Sequence, residues 1–478
     1  MTANGASFDL LLTGGRVVDP RNGVDAWLDV GLSGGKVAAI EAGLDPARAD
    51  RVIDVSGRTV FPGLIDAHVH ASKLLGGRPG FRMLAKTGVT TALEVTGPLA
   101  DVFQNVHLAG AGLNVAVLNA VRPGVTVGNV DPSRADLEQM VESSLGAGAI
   151  GVKILGGHFP LTPEATERVV TAANEHAAYL VMHVSTLANR GNDLNSLREG
   201  IELAGGRPIH IAHVNAHCRG WLLGDTYAEI RQALDLLRAA PNVVCESHQG
   251  VWCGTTAHCQ DGKVVDNVTG LHLQKGGYEP TEAGMRQAIL DGFGRVTVLR
   301  GGEHVLVGGE EGLRAWEAAG THTTIGFPTN PPVGIFACAA EKNADGSFVV
   351  DAMASDGGGI PRNLLVTVGL ALHRMGVLSL SEVALKTTWA PAAMLGLSSK
   401  GHLGVGADAD VTVLDVEREV ATLAIARGQV IMTDGVVVGE SGHVLTTERG
   451  LPAVLAAGLP GSALDETIPR YQKVRLER

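Results

Sequence analysis

Residues that could bind a metal ion stand at or near the ends of apolar runs along this chain. They are His68, His70, Lys153, His183, His213 and Asp356. Imidazole nitrogens and carboxylate oxygens are suitable ligands for zinc and similar divalent ions. Each residue alone is explained equally well as an ordinary core or loop residue, but a single geometry accounts for the whole set.

The first two histidines close the run FPGLIDAHVH, residues 61–70. In a strand, residues i and i+2 share a face, so His68 and His70 point to one side together with Asp66. Buried polar side chains need a hydrogen-bond partner or a ligand role. The pattern therefore favours a metal site, with Asp66 either supporting the two histidines or serving as a polar residue at the strand end.

Lys153, within GVKILGG, precedes His183 and His213 at successive intervals of 30 residues. One strand–helix unit has about this length, so the three should lie at the same end of consecutive strands. A buried, unpaired ammonium is costly, which means that Lys153 should be neutralised, paired or modified. If Lys153 captured carbon dioxide as a carbamate, it would become an anion able to bridge two metal ions. Asp356 ends a further apolar run, just before three glycines.

Between residues 61 and 399, short apolar runs alternate with helix-like stretches. This alternation predicts an α/β fold of parallel strands joined by helices, either a closed barrel or an open sheet. No G-x-G-x-x-G follows a first strand, which disfavours an open dinucleotide-binding sheet. In a barrel, the shared strand end is the C-terminal face, where active sites collect.

Both ends of the chain have a different texture, with β-branched runs separated by Gly-Gly and Asn-Gly pairs. Residues 1–60 and 400–478 are expected to form one small β domain together. Residues 251–348 are irregular and rich in glycine, which predicts a lid or another insertion in the barrel.

Composition limits the classes of partner. The 478 residues are 45% hydrophobic and 18% charged, with a formal net charge of −12. That charge argues against nucleic acid as a partner, and no apolar stretch reaches membrane-spanning length. The N-terminus shows no secretory signal, so the five cysteines are expected to be reduced in the cytoplasm. The spacing of Cys253 and Cys259 around His258 does not fit the common zinc motifs.

Several stretches resemble the amidohydrolase superfamily, and the resemblance covers nearly the whole chain. They are GRVVDP, VIDVSGRTVFPGLIDAHVH, GVTTALE and PAAMLGLSSKGHLGVGADADVTVLD. The segment VKILGG is similar to the one that carries the carboxylated lysine of hydantoinases, dihydroorotases and isoaspartyl dipeptidase. SDGGG is more like a segment of D-aminoacylases and isoaspartyl dipeptidase. The resemblance implies a (β/α)8 TIM-like barrel with a small β-sandwich domain built from both termini.

The same resemblance implies a centre of two divalent metal ions, with zinc as the expected metal. His68, His70 and Asp356 would hold the more buried ion, and His183 and His213 the other. Carboxylated Lys153 would bridge them. Asp356 would take the proton of the attacking hydroxide and return it to the leaving nitrogen. The partner is then a small-molecule amide, and relatives of this kind suggest a homo-oligomer.

Residues near these positions are candidates for substrate binding, since an arginine can pair with a carboxylate in bidentate fashion. The candidates are Arg219, Arg362, His217, His248 and Glu94.

The resulting hypothesis is a D-aminoacylase-like deacylase that cleaves the amide bond of an N-acyl amino acid. The alternatives are a cyclic amidase of the hydantoinase or dihydroorotase type and an isoaspartyl dipeptidase-like enzyme. A non-catalytic scaffold like the dihydropyrimidinase-related proteins is disfavoured because all six candidate ligands are present. A ring deaminase is disfavoured because such enzymes generally lack the bridging lysine.

Overall fold

Eight parallel strands form the centre of the computed structural model, which describes residues 7–72 and 77–476. They are Leu64–His70 (β1), Val89–Glu94 (β2), Asn114–Val121 (β3), Gly151–Leu155 (β4), Tyr179–His183 (β5), Ile209–Ile211 (β6), Val243–His248 (β7) and Ala352–Ala354 (β8). Each strand pairs with the next in chain order. Gly357 and Gly358, just beyond β8, pair in parallel with Val69 and His70 of β1. This pairing closes the sheet, so the predicted barrel is confirmed.

Helices connect the strands and cover the outside of the barrel. They are Pro79–Lys86, Leu99–Ala109, Arg134–Gly146, Pro163–Glu175, Leu194–Ala204, Thr226–Arg238, Pro332–Ala340, Leu365–Arg374, Leu380–Ala384 and Ala390–Leu395, with a π-helical turn at Leu385–Trp389. The start signal before Pro163 acts as the sequence predicts, because the Thr162 hydroxyl accepts a hydrogen bond from the Ala165 amide at 3.1 Å. The barrel strands are covered on both faces, which explains their nearly continuous apolar sequence. No helix in the described ranges is long and apolar enough to cross a membrane.

Strands from both ends of the chain share a second sheet of nine strands. They are Leu10–Asp19, Val24–Ser33, Lys36–Glu41, Val52–Asp54, Thr59–Pro62, Val411–Asp415, Val420–Ala426, Gln429–Thr433 and Val436–Val437. The two ends meet where Val411–Asp415 pairs antiparallel with Thr59–Pro62. A second domain built from both termini is therefore present beside the barrel.

The C-terminal boundary of that domain differs from the prediction of residues 400–478. After Val437 the chain returns to the barrel, where His443–Thr446 pairs in parallel with β3. Gly461–Ala463 then pairs with His443–Thr446, and the helix Leu451–Ala456 lies between them in the chain. The run HVLT has the apolar character of a strand but nothing that specifies which sheet it joins, so the sequence could not distinguish the two edges.

An insertion separates β7 from β8, within the predicted range of residues 251–348. Its strands are Cys253–Thr256, Cys259–Gln260, Lys263–Val264, Arg295–Arg300, Glu303–Val307 and Thr324–Phe327, and its helices are Asn267–Lys275, Glu282–Leu290 and Gly309–Ala318. It has its own apolar core around Trp316 and Phe327. Neither Cys253 nor Cys259 belongs to a metal-binding group among the described residues, and all five cysteines are free and buried.

A buried carboxylate joins the small sheet to the barrel. Asp410 accepts a hydrogen bond from the Lys400 ammonium at 2.7 Å, from the Asn114 side chain of β3 at 3.0 Å and from the Arg427 amide at 2.7 Å. Lys400 is itself buried and also contacts Asp408. Burial alone would lower the pKa of Lys400, but the two carboxylates outweigh it and raise that pKa. Asp410 thus compensates a charge that has no access to bulk water.

We predict that Asp410→Ala lowers the free energy of unfolding by about 3–5 kcal/mol, because it leaves part of a buried charge uncompensated. Urea denaturation of the purified protein measures this. The control is Asp25→Ala, which breaks an ion pair with Arg16 in which both side chains are about 40% exposed, and there the expected loss is below about 1 kcal/mol. Equal losses in the two variants would show that Asp410 does not join the domains.

Candidate metal centre

A cavity lies at the C-terminal ends of the barrel strands. All six predicted metal ligands line it: His68, His70, Lys153, His183, His213 and Asp356. They come from β1, β4 and β5 or from the turns directly after β6 and β8. The 30-residue spacing corresponds to one strand–helix unit, and this places Lys153, His183 and His213 side by side.

Three donor atoms converge at the end of β1. The side chains of His68, His70 and Asp356 offer ligand atoms that all lie within 4.8 Å of one another. Asp356 Oδ1 is 2.8 Å from His70 Nε2 and 3.5 Å from His68 Nε2. Two imidazoles and a carboxylate are a donor set that suits zinc and related divalent cations. The residues therefore fit a metal ion.

Each of these histidines is oriented through its other ring nitrogen. His68 Nδ1 lies 2.6 Å from Glu246 Oε1, and His70 Nδ1 lies 2.5 Å from the Thr96 hydroxyl. A carboxylate partner at Nδ1 places the proton there and leaves the Nε2 lone pair free. Both rings thus direct Nε2 towards Asp356.

Asp356 is held in an uncommon backbone conformation just after β8. Its φ angle of 49° lies in the left-handed region, which non-glycine residues adopt rarely and chiefly at functional sites. The amide of the preceding Ser355 donates to Asp66 Oδ1 at 3.1 Å. Asp66 thus supports the turn that carries Asp356, rather than lining the cavity.

Arg362 holds the Asp356 carboxylate from the side opposite the histidines. Its Nη2 lies 2.6 Å from Asp356 Oδ2, and its Nε donates to the Asp356 carbonyl oxygen. Burial alone would raise the pKa of Asp356, but the Arg362 guanidinium and the neighbouring imidazoles hold it well below its usual range. Asp356 is therefore ionised, as a metal ligand must be.

His183 and His213 form the other half of the cavity wall. Their ring centroids are 4.5 Å apart, and that of His213 is 5.2 Å from that of His68. His183 Nε2 lies 2.9 Å from the side-chain oxygen of Asn192. His213 has a φ angle of 33°, and its Nδ1 is buried without a hydrogen-bond partner among the described residues. A buried nitrogen in this state is suited to a ligand that protein atoms do not supply.

Burial keeps the imidazoles of the candidate metal ligands neutral. It lowers the pKa of His68, His183 and His213 well below its usual value, and the positive charge of Lys153 adds to this effect at His68. A metal ion binds the neutral form of imidazole. The histidines are thus in the protonation state that coordination requires.

Lys153 is fully buried in the middle of β4, and its Nζ has no hydrogen-bond partner within the described ranges. Burial lowers the pKa of this amine, while the charges of Glu246, Asp356 and Glu94 oppose the shift. The lowered pKa increases the fraction of neutral, nucleophilic amine near neutral pH.

The five predicted substrate residues divide into two groups. Arg219, Arg362 and His248 line the cavity. His217 lies behind the wall, with its ring centroid 5.6 Å from that of His183, and Glu94 accepts backbone hydrogen bonds from Thr96 and Gly97. Neither His217 nor Glu94 is among the residues that line the cavity, and substrate contact by these two residues stays a prediction.

The two arginines are in different states. Each nitrogen of Arg362 has a partner, since its Nη1 donates to the carbonyl oxygen of Trp252. Arg219 donates from Nε to the Asn330 side chain at 2.7 Å and from Nη2 to the Cys253 sulfur at 3.4 Å. Its Nη1 is buried and has no partner in the part of the chain that the structure describes. Of these two arginines, only Arg219 has a buried nitrogen without any partner among the described residues.

Sequence reasoning missed the polar residues that orient the wall: Thr96, Asn192, Asp266 and Asn330. Asp266 and Asn330 belong to the insertion, and Asp266 Oδ2 lies 2.8 Å from His158 Nδ1 across the cavity wall. Asp266 also caps the helix Asn267–Lys275. This capping position is the only feature of the sequence that could have drawn attention to Asp266.

Comparison with known proteins finds a family match over part of the chain and relatives over most of it. A model described as "Amidohydrolase family" matches residues 277–446. The chain is 25% identical over 457 residues to an N-acyl-D-glutamate deacylase of Alcaligenes xylosoxydans xylosoxydans, which covers 86% of this chain and 88% of that protein. It is 26% identical over 453 residues to a dihydroorotase of Citrifermentans bemidjiense, with 86% and 91% covered.

A solved structure shares the fold. The N-acyl-D-glutamate deacylase of Bordetella bronchiseptica, complexed with zinc and a phosphonate inhibitor, has a TM-score of 0.65 and 18% identity, and the match covers 92% of this chain and 99% of that one. Together with the barrel and its metal-binding group, these matches define a metal-dependent hydrolase that acts on C–N bonds other than ordinary peptide bonds. The chain is thus similar to the amidohydrolase family over residues 277–446, and over most of its length to a deacylase and a dihydroorotase.

We predict that His70→Ala weakens zinc binding by at least about tenfold, because it removes one of three converging donor atoms. Competition with a chromophoric chelator measures the affinity. His107→Ala is the control, since that histidine is exposed on an outer helix. Equal affinities in the two variants would contradict a metal ion at the end of β1.

Proposed function

We propose that this enzyme hydrolyses the amide bond of an N-acyl amino acid, with two divalent metal ions, expected to be zinc, at the barrel mouth. The observation that carries the proposal is the buried, unpartnered Nη1 of Arg219 in the same cavity as the His68, His70 and Asp356 group. A guanidinium in that position suits a substrate carboxylate. One relative is an N-acyl-D-glutamate deacylase, and that activity agrees with a substrate of this class.

The charges of the cavity wall support an anionic substrate. Asp356 is paired with Arg362, and Asp266 is paired with His158. Arg219 lacks a carboxylate partner among the described residues and rests over the ring of Trp221 at 4.6 Å. The wall thus has a buried positive charge to compensate, and the carboxylate of an acyl amino acid would do so.

We assign His68, His70 and Asp356 to one metal ion and His183 and His213 to the other, with carboxylated Lys153 between them. The neutral amine of Lys153 would attack carbon dioxide, forming an N–C bond and releasing one proton to give a carbamate. This change would replace an unpartnered buried amine by an anion with two oxygen donors. The buried, unpartnered Nδ1 of His213 is consistent with a ligand on that side of the cavity.

Divalent cations at such a site lower the pKa of a bound water and polarise a carbonyl oxygen. Arg219 would bind the substrate carboxylate and so orient the amide. Asp356 would accept a proton from the attacking water at Oδ1 and transfer it to the leaving nitrogen. Arg362 would keep Asp356 ionised between turnovers. The products are a carboxylic acid and a free amino acid.

A second candidate is a cyclic amide that carries a carboxylate, because Arg219 could hold that group in the same way. The dihydroorotase among the relatives favours this alternative. β-Aspartyl dipeptides also carry carboxylates, whereas simple hydantoins and dihydropyrimidines offer no carboxylate to Arg219. A hydrolysis screen of N-acetyl-D- and N-acetyl-L-amino acids, β-aspartyl dipeptides, dihydroorotate, hydantoin and dihydrouracil distinguishes these classes. Activity confined to the uncharged rings would refute the proposal.

We predict that Arg219→Gln lowers kcat/KM for the best N-acyl amino acid by roughly ten- to hundredfold, the effect of losing a charge-assisted hydrogen bond of about 1.5–3 kcal/mol. The matched control is the same substrate with its carboxylate converted to an amide, for which wild type and variant should differ little. Arg362→Gln should impair both substrates alike, because it acts through Asp356. An Arg219 variant that loses equal activity on both substrates would exclude the carboxylate contact.

We also predict that Lys153→Ala loses metal and activity, and that added acetate or propionate partly restores both by supplying the missing carboxylate. Metal analysis and initial rates measure the effect. Lys386→Met is the control, since this equally buried lysine donates to the Val350 carbonyl outside the cavity, and short acids should not change its activity. A fully active Lys153→Ala enzyme would remove this residue from the centre.

A further inference from the structure

Glu246 lies outside the cavity wall but contacts both halves of the metal centre. It lies on β7, is fully buried, and is not among the residues that line the cavity. Its Oε1 is 2.6 Å from His68 Nδ1 and accepts the backbone N–H of His213 at 2.8 Å. One oxygen atom is thus shared by a ligand from β1 and a ligand from the turn after β6.

The bond to His213 fixes a backbone that is unfavourable on its own. His213 has a φ of 33°, in the left-handed region, where a non-glycine residue stores strain of order 1–3 kcal/mol. Its N–H points at the Glu246 carboxylate, and the turn that follows presents the ring to the cavity, 5.2 Å from the ring of His68. A charge-assisted hydrogen bond of this kind can stabilise such a turn.

The rest of the carboxylate is poorly satisfied. Glu246 Oε2 is buried and has no hydrogen-bond partner among the described residues. The nearby His210 has its Nε2 3.8 Å from Oε1, beyond hydrogen-bond distance, while its Nδ1 lies 3.1 Å from the Tyr179 hydroxyl. A buried carboxylate with a free oxygen destabilises the protein unless a positive charge compensates it, and among the described residues Lys153 supplies part of that charge.

A comparison within the same chain shows what a structural buried glutamate looks like. Glu229 is equally buried, and both of its oxygens accept backbone N–H groups, from Gly220, Leu222 and Leu223, at 2.6–2.7 Å. All of its bonds lie within one loop and helix. Glu246 instead bonds to groups of two separate segments, β1 and the turn after β6, and leaves one oxygen free. Cations held by His68 and His213 would account for this arrangement, because they would compensate the negative charge of Glu246.

We propose that Glu246 is the positioning residue of the metal centre, which sets the ring of His68 and the backbone of His213 from one carboxylate oxygen and supplies negative charge beneath the cations. The inference rests on the metal centre of the proposed function but not on the identity of the substrate. It requires Glu246 to lower the stability of the metal-free protein while it raises metal affinity. A purely structural carboxylate would raise the stability of the metal-free protein and would not affect metal affinity.

Glu246→Gln tests this, because it keeps the size and the Oε1 acceptor and removes the charge. Zinc affinity from chelator competition should fall by about 10- to 100-fold, and the Tm of the metal-free protein should equal or exceed that of the wild type. Glu229→Gln is the control, with a lower metal-free Tm and unchanged zinc affinity. If Glu246→Gln gives no folded apoprotein, Glu246→Asp decides: its shorter side chain cannot reach both donors, so zinc affinity should also fall.

Wild-type zinc affinity in the folded Glu246 variant would overturn the inference, whatever its Tm. A wild-type protein that binds zinc but does not hydrolyse N-acyl amino acids would refute only the proposed substrate. A wild-type protein that binds no divalent metal would refute both proposals.

Discussion

The closure of the barrel is the constraint on which the rest of the structure depends. Gly357 and Gly358 pair with Val69 and His70, and the same pairing brings Asp356 within 2.8 Å of His70. Gly358 has a φ of 77°, and a Cβ there would lie 2.6 Å from the His70 carbonyl oxygen, so only glycine fits. The last strand must therefore pass β1 closely, and the residue just before that contact faces the two histidines. The strand pairing that closes the barrel therefore also assembles the metal-binding group.

That geometry concentrates ionisable groups where water is scarce. Burial lowers the pKa of the histidines and of Lys153, and it raises the pKa of Glu246. Left-handed backbone at His213 and Asp356 adds strain at the same place. Without a ligand, such a cluster lowers the stability of the fold. A cation that binds only the folded chain offsets these costs by mass action, so metal binding and folding are coupled.

The sequence predicts the repetitive part of this architecture well. His68 and His70 share a face because strands have a period of two, and Lys153, His183 and His213 follow the length of a strand–helix unit. Contacts between segments far apart in the chain have no such period. Nothing in the sequence separates Arg362, engaged with Asp356, from Arg219, which keeps a donor.

The same limit explains the other differences between sequence and structure. Glu94 ends β2 much as Glu246 lies near the end of β7, but local backbone amides of Thr96 and Gly97 bind it. His217 follows His213 by four residues, at the end of a short helical turn, and is not among the residues that line the cavity. The position at which the chain turns after a strand determines which side chain reaches the cavity. Single residue types do not specify that position.

The cavity has two parts of different origin. The barrel supplies the ligands and their supports, while the insertion supplies Asn330 and Cys253, which orient Arg219, and Asp266, which holds His158. The Trp252 carbonyl, at the start of the insertion, also accepts a hydrogen bond from Arg362. Because Arg362 holds Asp356, a displacement of the insertion would reach a metal ligand through a single side chain. Changes in the insertion could therefore alter the proposed substrate contacts and leave the barrel unchanged, provided that the backbone at Trp252 keeps its position.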